Sequence, residues 1–301
     1  MTQPRLGDPL PLGGGKLPYS KGVMARALIA GGVPADGAYQ LARAVEVELA
    51  ERRVRALEVG RLQELACEIL GREPGERAVR RLRRLSDLKG LDRPLIILIG
   101  GSTGTGKSTV ASEVAYRLGI TRVTSTDFIR QTMRAFLPGD SMPTIHYSSF
   151  EAGAALDGDA GPDPVVAGFL DQCRHVCVGV DAAIRRSLTE GWSMVLEGVH
   201  LVPGMVPSAL PGALLLHVVV EIANEDAHRM HFHLRDSTTG GIRPMEKYLD
   251  RLGDIRRIQS CIVDLARRNG VEVVENANVE RSIDRVIGLL MDMAESAAAP
   301  V

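Results

Sequence analysis

The sequence has few cysteines and no long hydrophobic run. The four cysteines are Cys67, Cys173, Cys177 and Cys261. Their spacings form no paired C-x₂-C framework, so we expect buried thiols in a reducing cytoplasm rather than a metal site. The longest apolar stretch, Ala213–Val220, is far too short to span a bilayer, and no basic segment followed by an apolar run indicates a secretory signal. We therefore expect a cytoplasmic protein with no membrane association.

The sequence also lacks an excess of charge of either sign. Its 36 basic and 37 acidic residues nearly cancel, so no strong global field favours nucleic-acid binding. Apolar residues make up 45% of the 301 residues, which is enough for an ordinary core. This length suits about two domains of roughly 100–200 residues each. A guanine-recognition signature of the N-K-x-D type is absent as well, which argues against a GTPase.

Breaks in the hydrophobic pattern divide the chain near residue 90. Residues 1–18 are rich in glycine and proline, as expected of a flexible arm or an irregular loop. From Ser20 to about Leu85 the pattern is helical, with interruptions at Gly31–Pro34 and Gly71–Gly75. These features predict a small, mostly helical N-terminal domain over residues 1–90, built from three or four short helices. A second domain is predicted over residues 91–301.

The second domain alternates strand and helix signals. Leu95–Ile99 is a continuous apolar run that ends in glycines, as expected of a strand buried on both faces. Such alternation predicts an α/β fold with a parallel sheet, helices on both of its faces and ligand sites at the carboxyl ends of the strands. The other predicted strands are Arg122–Ser125, Ser193–Glu197, Leu214–Ile222 and Val271–Val274, and the longer predicted helices are Pro164–Thr189 and Glu246–Asn269.

The segment Gly101–Ser108 matches the phosphate-binding loop G-x-x-x-x-G-K-[ST]. Its glycines allow successive backbone N–H groups to point at phosphate oxygens, and the helix that follows adds the positive end of its dipole. We therefore predict a P-loop protein that uses ATP and Mg²⁺, with Lys107 catalytic and Ser108 a metal ligand. A P-loop alone does not separate kinases from GTPases, motors or ATPases, and the charged stripe that follows the second predicted strand favours a P-loop kinase. The predicted nucleotide contacts are Gly101, Ser102, Thr103, Gly104, Thr105, Gly106, Lys107, Ser108 and Thr109.

A charged stripe follows the second predicted strand. Asp127, Arg130 and Arg134 are spaced by three and four residues and therefore share one helix face. A carboxylate beside two guanidiniums suits an acceptor hydroxyl held next to a base while the arginines clamp its anionic groups. We predict that all three contact the acceptor substrate and that Asp127 is also catalytic and a metal ligand. In the alternative interpretation Asp127 is a plain helix cap and the arginines are solvated.

The third predicted strand ends in an acid, Glu197, as a Walker B segment does. We predict that Glu197 contacts the substrate and holds Mg²⁺ or its bound water, while Gly198 permits close approach of the backbone. The alternative is a helix cap or a local ion pair. His200 is a further candidate for substrate binding, although a lone histidine after a strand is more often structural.

The segment Asn224–Gly241 combines histidines with arginines. Its His-x-x-His-x-His spacing does not predict zinc, because alternate histidines cannot all face one side of a helix. We predict a lid whose arginines neutralise phosphate charge during transfer, with Arg235 as its catalytic arginine. A charged surface helix is the alternative.

Three of these segments together resemble the 2-phosphoglycerate kinases. They are Ile99–Leu118, Thr124–Arg134 and Leu196–His200. The resemblance implies a fold in the nucleoside-monophosphate-kinase-like branch of P-loop proteins. It also implies phosphorylation of 2-phosphoglycerate to 2,3-bisphosphoglycerate, which in archaeal members is the first step toward cyclic 2,3-diphosphoglycerate.

The resemblance extends to the N-terminal part of the chain. Leu17–Leu28 and Ala42–Glu46 are similar to an ATP-cone regulatory segment. This similarity implies a second nucleotide site, for which Lys16, Lys21 and Arg26 are the candidate contacts.

The residues alone leave the acceptor open. Within enzymes, the alternatives are kinases acting on 3-phosphoglycerate, a sugar acid, a nucleoside or a nucleotide sugar. From a different class, the chain would be a nucleotide-sensing regulator with the helical unit as its output module. For an enzyme the expected partner is a small phosphorylated or acidic molecule, and a homo-oligomer is compatible with the sequence.

Overall fold

The computed structural model describes residues 19–156, 161–239 and 245–298, which form two compact units. One unit contains the described residues of Met1–Asp92, Tyr116–Gly119 and Ile287–Val301, and the other contains those of Arg93–Ala115 and Ile120–Val286. The predicted boundary near residue 90 assigns all C-terminal residues to the second domain. In the structure, the first segment of the helical unit ends at Asp92, close to this boundary, and residues 287–298 group with that unit.

The first unit begins with helices α1 (Lys21–Ala30), α2 (Ala35–Arg52), α3 (Val59–Leu70) and α4 (Arg72–Gly90). Their apolar faces form one core, with Met24, Leu41, Leu62 and Leu82 fully buried. The predicted helical N-terminal part is confirmed. The predicted break at Gly71–Gly75 is shorter than expected, because α4 begins at Arg72. Pro74 is tolerated in its first turn, where backbone N–H groups have no intrahelical acceptor.

The second unit contains a five-stranded sheet in which every pair of neighbouring strands is parallel. The sheet order is β2-β3-β1-β4-β5. All residues of the central strand β1 are buried, which explains its uninterrupted apolar sequence. The predicted parallel α/β fold is therefore confirmed. The strands are β1 (Leu95–Gly100), β2 (Val123–Ser125), β3 (Met194–Glu197), β4 (Leu214–Glu221) and β5 (Glu272–Glu275).

Helices connect the strands and follow the last of them. They are α5 (Lys107–Leu118), α6 (Thr126–Phe136), α7 (Pro164–Glu190), α8 (Glu225–Thr239), α9 (Met245–Leu249), α10 (Leu252–Arg268) and α11 (Val279–Ala298), with short 3₁₀ helices at Pro143–His146 and Ala152–Ala155. The prediction of one continuous helix over Glu246–Asn269 was wrong, because a turn at Asp250 and Arg251 separates α9 from α10. Among the described residues, none of the helices has both the length and the apolar character that crossing a bilayer requires.

The register of the strands places three functional segments at one edge of the sheet. Glu197 in β3 is level with Ile99 in β1 and with Ser125 in β2. The carboxyl ends of these strands therefore lie side by side. The P-loop, the start of α6 and the turn after β3 all leave the sheet at this edge, as expected for ligand sites on parallel sheets.

Candidate nucleotide and acceptor site

The P-loop joins the buried strand β1 to the start of α5. The backbone N–H groups of Gly104, Thr105, Gly106, Lys107 and Ser108 donate to no acceptor among the described residues. Successive N–H groups that are unpaired at a helix N-terminus form a concave anion site. The loop therefore has the donor set that the phosphates of a nucleotide require.

Two side chains of the loop close back on its own backbone. The Thr105 hydroxyl donates to the carbonyl of Ser102 at 3.0 Å, and the Lys107 ammonium donates to the same carbonyl at 3.4 Å. The Ser102 hydroxyl donates in turn to the carbonyl of Ile255 in α10 at 2.9 Å. These bonds hold Lys107 across the mouth of the loop, where a phosphate would bind.

Side chains from distant parts of the chain hold the outer side of the loop. His228 and His231 in α8 contact the carbonyls of Thr103 and Gly104, and Asn276 after β5 contacts the carbonyl of Thr105. Sequence reasoning did not identify these contacts, because nothing in the local pattern links a histidine in α8 to a loop more than a hundred residues earlier.

The first half of α8 is consequently part of the packed site. His228 is fully buried and stacks on Phe232, whose ring stacks on Tyr248 of α9. The alternative interpretation of this segment as a charged surface helix does not fit His228 and Phe232, because both are buried. The side chain of Arg235 lies outside the described part of the structure, so the lid stays a prediction.

Asp127 and Arg130 meet at the start of α6. The side chain of Asp127 is 56% exposed, and its Oδ1 lies 3.5 Å from Arg130 Nε. The pKa of Asp127 is lowered, since desolvation raises it but the neighbouring His200, Lys107 and Arg130 lower it by a larger total. Asp127 is therefore an exposed, ionised carboxylate in the electrostatic field of the P-loop lysine.

The two arginines of the stripe differ in their surroundings. Arg130 is buried, and its Nη1 donates to the carbonyls of Ile145 and Tyr147, each at 2.9 Å. Arg134 is partly exposed and contacts only Gln131 among the described residues, at 3.1 Å. Arg130 thus anchors the segment around the first 3₁₀ helix, whereas Arg134 has a guanidinium that solvent can reach.

A buried network of hydrogen bonds lies behind Asp127. Gln172 donates through Nε2 to the carbonyls of Thr144 and Tyr147, so its Oε1 is free to accept from His200 Nε2 at 3.0 Å. His200 Nδ1 then accepts from the Thr126 hydroxyl at 2.8 Å. Both ring nitrogens of His200 have protein partners, so in this arrangement His200 positions Thr126 and does not offer a nitrogen to substrate.

The burial of His200 predicts a loss of stability in acid. Desolvation lowers its pKa from 6.5 to about 4, although Asp127 opposes the shift. Its contribution to stability is therefore fully present above pH 6.5 and is lost as the pH falls toward 4, because the unfolded chain takes up the proton first. Between pH 6.5 and 4, the free energy of unfolding should therefore fall by about 3 kcal/mol less in His200→Gln than in the wild type.

Chemical denaturation of the wild type and of the variant across this pH range measures the difference. His233→Asn is the matched control for replacing a histidine, because His233 is exposed. An identical pH dependence in wild type and His200→Gln would contradict the prediction.

Glu197 ends β3 as a nearly buried acid. The residue is 8% exposed, and its side chain forms no hydrogen bond or ion pair with any described residue. Gly198, which follows it, has φ 151°, and a Cβ there would lie 1.8 Å from the Thr126 hydroxyl oxygen. A glycine is therefore required for the end of β3 to approach the start of α6 this closely.

The donors at this edge fit a magnesium ion. Mg²⁺ is usually held by one or two carboxylates, phosphate oxygens and water, and needs no complete protein cage. The hydroxyl of Ser108 and the carboxylates of Asp127 and Glu197 supply suitable oxygens. No group of three or more histidine, cysteine, aspartate or glutamate side chains in the described ranges is arranged as a complete metal site.

The candidate contacts of a second nucleotide are only partly described. Lys16 lies outside the described residues. Lys21 forms an ion pair with Glu46 at 3.4 Å, and the Arg26 guanidinium lies 4.9 Å from the centre of the Tyr116 ring. The ATP-cone-like function of the helical unit stays a prediction.

Fold and loop together define a protein of the P-loop kinase class. The chain is 35% identical over 278 residues to the 2-phosphoglycerate kinase of Methanopyrus kandleri, covering 91% of this chain and 84% of that protein. It is 38% identical over 275 residues to the 2-phosphoglycerate kinase of Methanothermobacter thermautotrophicus, covering 90% and 89%. The chain belongs to the 2-phosphoglycerate kinase family, which confirms the resemblance. No protein-family model matches the sequence.

Solved structures give weaker similarities. A gluconokinase from Sinorhizobium meliloti 1021 is 16% identical, with 69% of this chain and 100% of that chain covered and a TM-score of 0.39. A shikimate kinase from Acinetobacter baumannii is 17% identical, with 71% and 99% covered and a TM-score of 0.39. Similarity at this level does not bear on function.

Proposed function

We propose that this protein transfers the γ-phosphate of ATP to the hydroxyl of 2-phosphoglycerate, giving 2,3-bisphosphoglycerate and ADP. The observation that carries the proposal is family membership over about nine tenths of the chain, with relatives named 2-phosphoglycerate kinase. The open donors of the P-loop and the ionised Asp127 beside them support it, because a phosphoryl donor and an acceptor hydroxyl need neighbouring sites.

On the nucleotide side, the N–H groups of residues 104–108 bind the phosphate oxygens. Lys107 leaves the Ser102 carbonyl and binds the oxygens between the β- and γ-phosphates, where negative charge develops during transfer. Mg²⁺ held by Ser108, Asp127 and Glu197 would neutralise phosphate charge at the same edge. Arg235 remains our candidate for a further cation at the transferred group.

On the acceptor side, Asp127 accepts a hydrogen bond from the substrate hydroxyl and orients it toward the γ-phosphate. Its lowered pKa keeps it ionised at neutral pH. Arg134 binds an anionic group of the acceptor, and Arg130 fixes the backbone that borders the site. His200 holds Thr126 and thereby the start of α6.

A coupled assay of ATP consumption tests the acceptor directly. The compounds to compare are 2-phosphoglycerate, 3-phosphoglycerate, sugar acids, nucleosides and nucleotide sugars, with phosphorus NMR to identify each product. We expect the highest kcat/KM with 2-phosphoglycerate. A higher value with another acceptor would replace 2-phosphoglycerate as the substrate, and ATP binding without transfer to any of them would favour the nucleotide-sensing regulator.

The partly exposed Arg134 of α6 gives a prediction about acceptor binding. Arg134→Ala should raise the acceptor KM by about 10- to 150-fold, because a hydrogen bond to a charged group contributes about 1.5–3 kcal/mol. The KM for ATP should stay nearly unchanged. Arg130→Ala should also raise the acceptor KM more than the ATP KM, but it additionally releases the carbonyls of Ile145 and Tyr147.

Steady-state kinetics with each substrate varied in turn separates these effects. Arg174→Ala is a suitable control, because Arg174 is an exposed arginine of α7 that pairs with Asp171. Equal changes in both KM values would move Arg134 to the nucleotide side, and no change would place it on the solvated surface.

A further inference from the structure

Three consecutive carbonyls of the P-loop are bonded from outside the loop. His228 Nε2 lies 2.8 Å from the carbonyl oxygen of Thr103, and His231 Nδ1 lies 3.2 Å from that of Gly104. Asn276 Nδ2 lies 2.9 Å from the carbonyl oxygen of Thr105. A carbonyl oxygen only accepts hydrogen bonds, so each of these side-chain nitrogens is the donor.

The direction of each carbonyl determines the direction of the next N–H group. In a trans peptide the C=O and the following N–H point to opposite sides of the chain, because the unit is planar. Holding the carbonyls of residues 103, 104 and 105 outward therefore turns the N–H groups of Gly104, Thr105 and Gly106 inward. These are the N–H groups that have no acceptor among the described residues.

The donors themselves are held rigidly. His228 is fully buried and stacks on Phe232 with ring centroids 5.3 Å apart, and its other ring nitrogen has no partner among the described residues. The amide oxygen of Asn276 accepts from the Ser282 hydroxyl at 2.9 Å. A Cβ on Gly106 would lie 2.3 Å from Asn276 Nδ2, so only a glycine at 106 admits this amide.

We infer that His228, His231 and Asn276 are positioning residues that hold the P-loop backbone in its phosphate-binding form before nucleotide binds. The inference rests on the proposed function only in that the loop must bind a nucleotide, and it holds whichever acceptor is used. Because the donors are oriented in advance, binding need not reorganise the backbone, which strengthens the interaction with the phosphates. None of the three side chains contacts the nucleotide in this role.

Paired substitutions test the inference. His228→Leu and Asn276→Leu replace the donor side chain by an apolar one of similar size. By contrast, His228→Gln places an amide N–H donor near the position of His228 Nε2. We expect each leucine variant to lower ATP affinity by about 3- to 10-fold, the effect of one hydrogen bond. The KM for the acceptor should change much less, and His228→Gln should recover most of the lost affinity.

Calorimetric titration with ATP, acceptor kinetics and thermal melting of each full-length variant provide the readouts. Asn269→Leu is the matched control, because Asn269 Nδ2 also donates to a backbone carbonyl, that of Leu265 at 2.8 Å, whereas α10 contacts the P-loop through Ile255 near its other end. Wild-type ATP affinity in both leucine variants would overturn the inference. An equal loss in His228→Gln and His228→Leu would do the same, as would parallel losses for ATP and acceptor.

The outcome is distinguishable from a failure of the proposed function. If the wild type binds ATP but transfers phosphate to no phosphoglycerate, the acceptor proposal fails and the positioning residues are still tested by ATP affinity. If the wild type binds no ATP, both the kinase proposal and the inference are overturned.

Discussion

Replacing Lys107 by alanine is expected to lower the rate of phosphoryl transfer by about 10²-fold or more, the usual effect of removing one preorganised charge at a developing anion. The ammonium group already lies across the loop, bonded to the Ser102 carbonyl at 3.4 Å. It therefore needs only a small movement to reach a phosphate that occupies the cradle. Alanine leaves the backbone donors in place but removes the only side-chain cation of the loop.

Single-turnover measurements at saturating ATP and acceptor provide the test, since they separate chemistry from binding. Arg285→Ala serves as a control for loss of a cation elsewhere, because Arg285 pairs with Glu272 at the surface. A Lys107→Ala protein with near wild-type turnover would show that the phosphate-loop assignment is wrong.

Asp127→Asn is expected to reduce kcat by about 10²- to 10⁴-fold, the range for a positioned acid–base group. Asparagine has the same shape and retains an oxygen for Arg130, so the fold and the 3.5 Å contact should survive. The substitution removes the negatively charged oxygen that accepts a hydrogen bond from the hydroxyl of the acceptor substrate. ATP binding should fall much less than kcat, because the N–H groups of the loop and Lys107, which bind the phosphates, are unchanged.

The matched control is Asp140→Asn, which makes the same change at an exposed residue beyond the end of α6. Transfer rates and ATP affinities of both variants should be compared at neutral pH, where the lowered pKa of Asp127 keeps it ionised. A kinase loses transfer in Asp127→Asn and keeps nucleotide binding. A nucleotide-sensing regulator would respond to ATP normally in the variant, and unchanged transfer would remove Asp127 from the reaction.

Most of the fold was predictable because its signals are local. The apolar run that becomes β1 has no polar residue to place on a solvated face, which identifies a central parallel strand from sequence alone. Each end of the five predicted strands lies within one residue of the observed end. The break between α9 and α10 was missed, because the turn falls at Asp250 and Arg251, whereas the nearby Gly253 lies within α10.

The candidate site was predictable in part, for the same reason. The P-loop carries its conformation in consecutive residues, and the spacing of Asp127 and Arg130 places them on one helix face in any α-helix. The sequence by itself therefore determined at which strand ends the proposed nucleotide and acceptor sites lie. It also determined the family, since the resemblance depends on these same contiguous segments.

Only the tertiary structure decided how these groups are held. Gln172 and His200 are separated by many residues, yet they share one buried hydrogen bond that supports Thr126. His228 and Asn276 reach the P-loop from α8 and from the end of β5. A single sequence gives no signal for such contacts, because a buried polar group takes its partner from whichever element packs against it, and that choice is made only when the chain folds.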